Sequence, residues 1–306
     1  MGTPDFAAVI LKYVLGWSGG KVVAVYTQPD RPCGRGQKIK ESPVRKLATE
    51  NGLRVLQPEN FKSEQTVNEL ALLRPDYILV AAYGLILPQR VLDCALHMPL
   101  NVHASLLPRY RGAAPIQRAI INGEVVTGIS IMQMTRGLDS GPVLLQRAMG
   151  IDISDTAGKL HDDLAHMGGE LAVEAMEGLD SGKVKPMVQD DSKATYAPKL
   201  AKHEGFIDWN QTAKQVHDRI RGLFPWPGSY FDWTGPGDKP LRIQVFPGMT
   251  GPDKPQGISA GTMLGTHDGF LQIACADKIY LVPRVKPEGG REMDAGSFEC
   301  GFLSKC

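Results

Sequence analysis

The first 180 residues alternate short apolar runs with amphipathic stretches, and this alternation is the strongest limit on how the chain can fold. Apolar runs of strand length occupy residues 22–26, 76–82, 99–105, 128–134 and 142–147. Runs that are apolar throughout suit strands covered on both faces, as in parallel sheets. We therefore predict an α/β domain with an open, mostly parallel sheet and helices on both faces.

Helix starts between these runs are marked by caps and by periodicity. Ser42 followed by Pro43 predicts one helix start, and Pro115 predicts another. A longer helix begins near Asp155, because apolar side chains then recur at spacings of three and four and form one buried stripe. The stripe consists of Leu160, Leu164, Met167 and Leu171.

The pattern changes after Gly182, where a polar, proline-containing stretch begins. A chain of 306 residues is longer than one core usually supports. We predict a first domain over 1–182, a linker over 183–202 and a second domain over 203–306. In the last part a helix at 212–224 precedes short strands at 229–233, 241–246, 270–274 and 279–282, which indicates a small β-barrel resembling an OB fold. We expect the tail, residues 297–306, to be expendable or disordered.

Composition excludes several classes of protein. The five cysteines are odd in number and form no CxxC pair, so we expect neither a zinc site nor a disulfide framework, and a reducing cytoplasm fits. No apolar stretch reaches the eighteen residues that a membrane span needs, so no membrane partner is expected.

Basic residues cluster between positions 31 and 46, although the net charge of the chain is only +1. Gly34 and Gly36 predict that residues 31–37 form an irregular loop. Taken alone, such a cluster is more often a solvated loop than a binding site. Its members are Arg31, Arg35, Lys38, Lys40, Arg45 and Lys46.

A first candidate site lies on the run at 99–105. Because side chains alternate along a strand, Asn101, His103 and Ser105 should point to one face. An amide donor beside an imidazole suits stabilisation of an oxyanion during acyl transfer. A buried histidine with satisfied hydrogen bonds is the commoner explanation of an isolated Asn-x-His pattern.

A second candidate site is the loop that follows the run at 128–134. It presents Asp139 between Gly137 and Gly141. Taken alone, this arrangement is equally consistent with a plain turn in which the aspartate caps its own backbone.

Together the two segments resemble the active-site motifs of the folate-dependent formyltransferases. The resemblance rests on Asn-x-His-x-Ser-Leu-Leu-Pro from Asn101, followed by Gly-Leu-Asp-x-Gly around Asp139. It implies a formyltransferase-type Rossmann-like fold, catalysis by Asn101, His103 and Asp139, and 10-formyltetrahydrofolate as the formyl donor, with no metal. It also implies that a four-residue segment lines the folate pocket, namely Ser105, Leu106, Leu107 and Pro108.

The formyl acceptor is indicated by further segments. Residues 2–6, 28–36, 113–118, 207–209 and 224–228 resemble the branch of the family that acts on initiator methionyl-tRNA. That resemblance implies a cytoplasmic or organellar monomer in translation initiation, with Arg31, Arg35 and Lys38 contacting tRNA phosphates. The alternatives are a nucleotide-sugar amine or glycinamide ribonucleotide as acceptor, water as acceptor in a formyl-folate hydrolase, or an inactive RNA-binding relative.

The segment at 2–6 carries one further expectation. In the family an apolar strand precedes this motif, whereas in this chain only Met1 precedes it. We hypothesise that a central strand is missing, which would leave unpaired backbone groups inside the sheet.

Overall fold

The computed structural model of this protein describes residues 1–33, 38–234 and 240–303. The helices are α1 (Asp5–Gly16), α2 (Pro43–Glu50), α3 (Glu64–Leu72), α4 (Gln89–Leu92), α5 (Pro115–Ile121), α6 (Ala157–Asp180), α7 (Ala213–Gly222) and α8 (Ala295–Phe298). The strands of the first 200 residues are β1 (Val25–Tyr26), β2 (Arg31–Cys33), β3 (Lys38–Lys40), β4 (Val55–Leu56), β5 (Tyr77–Val80), β6 (Met98–His103), β7 (Arg111–Gly112), β8 (Val126–Gln133), β9 (Val143–Gly150) and β10 (Tyr196–Ala197). The later strands are β11 (Ser229–Thr234), β12 (Pro240–Val245), β13 (Met249–Asp253), β14 (Met263–His267), β15 (Phe270–Ala274), β16 (Lys278–Val282), β17 (Arg284–Pro287) and β18 (Met293–Asp294).

The chain forms two compact units, and each is interrupted in sequence. The first comprises Met1–Pro115, Thr127–Met149 and His161–Ala197. The second comprises Ile116–Val126, Gly150–Leu160 and Pro198–Cys306.

The first unit confirms the predicted α/β architecture. Its main sheet has the order β5-β6-β8-β9, and β1 pairs in parallel with β4. Strand β5 is parallel to β6, whereas β8 runs antiparallel to β6. The sheet is therefore mixed, with its parallel part formed by the earlier strands.

The predicted helix signals also match the structure. Ser42 caps α2, because its hydroxyl accepts a hydrogen bond from the Arg45 backbone amide at 3.0 Å. The stripe on α6 is buried at Leu160, Leu164 and Leu171, as its spacing predicts.

Among the described residues, Met1 and Gly2 bridge one end of the gap between β1 and β5. The Gly2 amide donates to the Tyr26 carbonyl at 2.9 Å, and the Ala81 amide donates to the Met1 carbonyl at 3.0 Å. A largely apolar cavity of about 680 Å³ is lined by residues of both strands, including Val25. The expectation of a missing strand stays a prediction.

The second unit contains two antiparallel four-stranded sheets, with the orders β11-β12-β17-β18 and β13-β16-β15-β14. The four strands predicted for this part correspond to β11, β12, β15 and β16, and the C-terminal β domain is confirmed. The others escaped prediction because they are short or, like Met249–Asp253, contain glycine and proline. The predicted helix is α7, which begins after the cap at Thr212.

The expectation of a disordered tail was wrong as far as residue 303. Phe298 is fully buried and its ring lies 6.1 Å from that of Trp233. The Glu299 carboxylate accepts a hydrogen bond from the Thr266 amide at 3.2 Å. A buried aromatic side chain and a hydrogen-bonded carboxylate therefore attach this end of the chain to the second unit.

The segment predicted as a linker is hydrogen-bonded to the first unit as far as Ala197. Met187 and Val143 exchange two backbone hydrogen bonds, each of 2.8 Å. Strand β10 then pairs in parallel with β7. Within the described residues, no helix has both the length and the apolar character to cross a membrane.

A pH-dependent stability is expected for a chain whose first residue is Met1. Burial lowers the pKa of the Met1 amino group from 8.0 to about 5. Between these values the unfolded chain binds a proton that the folded chain excludes, so the free energy of unfolding should fall as pH falls from 8 to 5. Urea unfolding across this range checks the expectation.

A matched chain carries about five apolar residues ahead of Met1, the length of an average strand. It should be more stable and should lose less stability toward pH 5, because the amino group no longer lies in the gap. Equal pH dependence in the two chains would contradict the burial of this group.

Candidate active site

Two of the predicted catalytic side chains lie on β6, in the middle of the main sheet. Asn101 is paired with Val80 on β5 and with Met132 on β8, and His103 is paired with Ser130. Their spacing of two places both side chains on one face of the strand. Asn101 is half-buried, and its side-chain amide has no hydrogen-bond partner among the described residues. This amide can therefore donate to a bound oxygen.

The third predicted side chain, Asp139, is adjacent to His103. Its Oδ2 lies 3.7 Å from His103 Nδ1, and His103 Nε2 lies 2.9 Å from the carbonyl oxygen of Tyr110. Because a carbonyl can only accept, Nε2 carries a proton. A proton on Nδ1 would point at the carboxylate, so the buried imidazole is oriented from both sides.

Asp139 lies beside His103 because its loop folds back along the sheet, which the order of the strands does not indicate. Gln133, at the end of β8, is paired with Leu100, whereas His103 is paired with Ser130. The loop 134–142 therefore starts near the other end of β6 and folds back along the sheet. There the Gly112 amide donates to Asp139 Oδ2 at 2.8 Å.

The segment predicted to line the folate pocket is held in shape by polar groups that the sequence analysis missed. Ser130 Oγ donates to the Ser105 carbonyl at 2.6 Å and accepts from the Leu107 amide at 3.0 Å. Gln146 Nε2 donates to the Leu107 carbonyl at 2.8 Å. Both Ser130 and Gln146 interrupt apolar strands, and a polar residue at such a position was the available signal.

Ser105 as a folate contact stays a prediction, and its side chain is already engaged within the protein. Its side chain is fully buried, and its hydroxyl donates to the Arg109 carbonyl at 2.6 Å. Leu107 is also buried, whereas Leu106 and Pro108 are partly exposed. A ligand can therefore touch the last two side chains, while the serine shapes the loop.

The basic segment is more regular than predicted. Strands β2 and β3 form an antiparallel pair in which Arg31 is opposite Lys40, and both residues are exposed. Like charges directly opposite each other repel, so a bound anion would offset that cost. Arg35 lies outside the described residues, and Lys38 is described only as a backbone position in β3.

One basic residue of this segment is already paired. Arg45 forms an ion pair with Asp30, which also accepts a hydrogen bond from Gln57 Nε2 at 3.0 Å. Its charge is therefore used in fixing the segment to the unit. No group of three or more His, Cys, Asp or Glu side chains in the described ranges is arranged to hold a metal ion.

The sequence matches two family profiles that together span most of the chain. The profile described as formyl transferase matches residues 2–176, and the profile described as formyl transferase, C-terminal domain, matches residues 199–303. The chain belongs to the formyl transferase family. The protein is therefore an enzyme, and the site on β6 lies within the first matched region.

Similar proteins cover all or most of the chain. The methionyl-tRNA formyltransferase of Nitratidesulfovibrio vulgaris strain DP4 is 53% identical over 306 residues, which are 100% of this chain and 93% of the relative. That of Marinobacter nauticus is 49% identical over 275 residues, which are 90% of this chain and 86% of the relative.

Solved structures of low identity share the fold. The N-formyltransferase from Helicobacter canadensis, in complex with folinic acid and dTDP-3-aminofucose, has a TM-score of 0.66 at 17% identity and covers 95% of this chain and 97% of its own. HypX from Aquifex aeolicus, in complex with tetrahydrofolic acid, has a TM-score of 0.58 at 20% identity and covers 82% of this chain and 43% of its own.

Alanine at any of Asn101, His103 or Asp139 should slow formyl transfer by about a hundredfold or more, the usual cost of losing one oxyanion donor or its support. Single-turnover rates at saturating substrates measure this loss. Circular dichroism and the affinity for the acceptor should stay near those of the unsubstituted protein. Full activity of Asp139→Ala would show that the carboxylate takes no part in catalysis.

Proposed function

We propose that this protein transfers the formyl group of 10-formyltetrahydrofolate to the α-amino group of initiator methionyl-tRNA, in preparation for translation initiation in the cytoplasm. The observation that carries the proposal is the 53% identity, over the whole chain, to a protein named methionyl-tRNA formyltransferase. The pairing of His103 with Asp139 on the same strand face as Asn101 supports it independently.

The residues of the site suit each stage of this reaction. The acceptor amine attacks the formyl carbon and forms a carbon–nitrogen bond, and the carbonyl oxygen becomes negative. The side-chain amide of Asn101 can donate to that oxygen. The imidazole of His103, whose ring nitrogens face Tyr110 and Asp139, lies beside it on the same strand face. The bond between the formyl carbon and N10 of the folate then breaks, and the proton lost by the amine is taken up by N10.

Asp139 contributes by orientation and by charge. Its Oδ2 lies 3.7 Å from His103 Nδ1, so the carboxylate fixes the orientation of the ring and places a negative charge beside it. Placing both reactants in this geometry supplies a further large part of the acceleration.

The folate donor has a place in the segment after His103. A pterin ring offers flat apolar faces and polar edges, and Leu106 and Pro108 present partly exposed apolar surface. The hydrogen bonds from Ser130 and Gln146 keep this segment in one conformation before the donor binds. A preformed loop reduces the entropy lost on binding.

The tRNA partner suits the strand pair β2–β3. Arg31 and Lys40 are exposed and opposite each other, and phosphate groups would relieve their repulsion. Arg31, Arg35 and Lys38 are the residues that we propose for this contact. Phosphate contacts of this kind set affinity and register without reading the base sequence.

An acceptor comparison tests the proposal. Purified protein is offered 10-formyltetrahydrofolate with charged initiator tRNA, charged elongator tRNA, a nucleotide-sugar amine or no acceptor. We expect kcat/KM for the charged initiator tRNA to exceed that for every other acceptor by about a hundredfold, a difference of about 2.7 kcal/mol. Preferred formylation of the sugar amine, or hydrolysis of the donor at a similar rate, would contradict the proposal.

Charge reversal at Arg31 tests the proposed tRNA surface. Arg31→Glu should raise KM for the tRNA and reduce the slope of log affinity against log salt by about one, because one phosphate contact is lost. The turnover number should hardly change. Lys12→Glu, an equal charge change at an exposed position on α1, is the control and should leave the salt slope unchanged. Equal effects of the two substitutions would show a general loss of positive field instead of a local contact.

A further inference from the structure

The segment 187–197, called the return segment below, contacts both loops that carry the site. On one side Met187 bridges Val143, at the end of the loop that holds Asp139. On the other side the Arg111 amide donates to the Thr195 carbonyl at 2.9 Å. The segment therefore connects the loop at 134–142 with the residues that follow β6.

One side chain of the return segment makes four hydrogen bonds between these loops. Gln189 Nε2 donates to the carbonyl of Asp139 at 2.8 Å and to that of Gly141 at 2.7 Å. Gln189 Oε1 accepts from Arg111 Nε at 3.1 Å and from Arg111 Nη2 at 2.8 Å. All the hydrogen-bonding capacity of the amide is therefore used.

The orientation of this amide follows from its partners. A guanidinium group can only donate and a carbonyl oxygen can only accept, so the oxygen of Gln189 must face Arg111 and its nitrogen must face the loop. The orientation of Arg111 is also fixed, because its side chain is buried and its Nη2 also donates to Asp191 at 2.7 Å.

Three consecutive residues then link Gln189 to the reacting groups. The carbonyl of Tyr110 is 2.9 Å from His103 Nε2, the side chain of Arg111 contacts Gln189, and the amide of Gly112 donates to the Asp139 carboxylate at 2.8 Å. His103, Asp139 and Gln189 are thus attached to the same short stretch of backbone. Gln189 also binds the backbone of Asp139 itself, so these groups form a closed circuit of contacts.

Asp139 needs such attachment because its backbone is strained. Its φ of 47° lies in the left-handed region, which costs a residue with a side chain about 1 kcal/mol or more. Strained residues persist where the surrounding hydrogen bonds determine their conformation. Gln189 supplies two of these bonds, on either side of Ser140.

We propose that Gln189 is a positioning residue, which fixes Asp139 against His103 through its amide N–H groups. The inference rests on the proposed function only for its kinetic readout. It assigns a role in the site to a segment that the sequence analysis interpreted as a linker. Gln189 does not touch the reacting atoms, so its effect must pass through Asp139.

The substitution Gln189→Glu removes the hydrogen-bond donor of this amide and keeps an acceptor. The carboxylate has nearly the same shape and still accepts from Arg111, but it has no N–H to donate and it faces two carbonyl oxygens. We expect kcat for formyl transfer to fall by about ten- to a hundredfold, the scale of a misplacement of about 1 Å in a catalytic group. KM for both substrates should change by less than about threefold, because no proposed binding contact is altered. Gln65→Glu, the same change on the exposed surface of α3, should leave kcat unchanged.

Amide hydrogen exchange gives a readout that needs no activity. The Gly112 amide is protected by the Asp139 carboxylate, whereas the neighbouring Arg111 amide is protected by Thr195 in the return segment. In Gln189→Glu we expect exchange at Gly112 to accelerate by about tenfold or more, with exchange at Arg111 within about twofold of the unsubstituted protein. That difference would show a loosened Asp139 loop on an intact return segment.

Three outcomes would overturn the proposal. These are an unchanged kcat, an unchanged exchange rate at Gly112, and equal acceleration at Gly112 and Arg111, the last of which would indicate only the detachment of the return segment. If the unsubstituted protein formylates none of the acceptors, the proposed function fails, and the exchange experiment still decides the role of Gln189.

Discussion

The contact between the Asp139 carboxylate and the groups around it is the interaction on which the site depends. One oxygen of this carboxylate accepts a backbone hydrogen bond from Gly112 and lies 3.7 Å from the imidazole of His103. Neither partner is near Asp139 in sequence, and the aspartate backbone is in a conformation that is unfavourable by itself. The loop must therefore be held by contacts from elsewhere, and the nearest are those of Gln189.

The strand that carries Asn101 and His103 provides rigidity to the other half of the site. Asn101 is paired on both sides and His103 is paired with Ser130, so the backbone of neither residue can shift without breaking sheet hydrogen bonds. The loop that carries Asp139 lies outside the ladder, and polar contacts hold it in place instead. Electrostatic catalysis depends on donors that are in place before charge develops. A rigid strand together with a loop held at several points meets that condition.

Local chemistry made the strand half of this arrangement predictable. The spacing of two on a strand placed Asn101 and His103 on one face, and Ser42 with Pro43 marked a helix start. The resemblance of two motifs linked Asp139 to them, but the antiparallel direction of β8 and the folding back of its loop depend on contacts far apart in the chain. The register of β6 against β8 could be obtained only from the folded structure.

The contacts of polar and irregular segments could not be predicted from the sequence. A stretch without apolar periodicity looks like a linker, although Gln189 and Thr195 in it are bound to partners about 50 to 85 residues earlier. The tail was expected to be expendable or disordered because it matches the family poorly, yet Phe298 is buried in the core of the second unit. Single side chains with distant partners leave no periodic trace, so neither set of contacts could be predicted from the sequence.

The cooperation of His103 with Asp139 is tested most directly by a double-mutant cycle on the single-turnover rate of formyl transfer. His103→Ala, Asp139→Ala and the double variant are compared with the unsubstituted protein. If the carboxylate acts through the imidazole, the double variant should be about as slow as the slower single variant. Rate losses that simply multiply would show that the two groups act independently, and would contradict the coupling of the carboxylate to the imidazole.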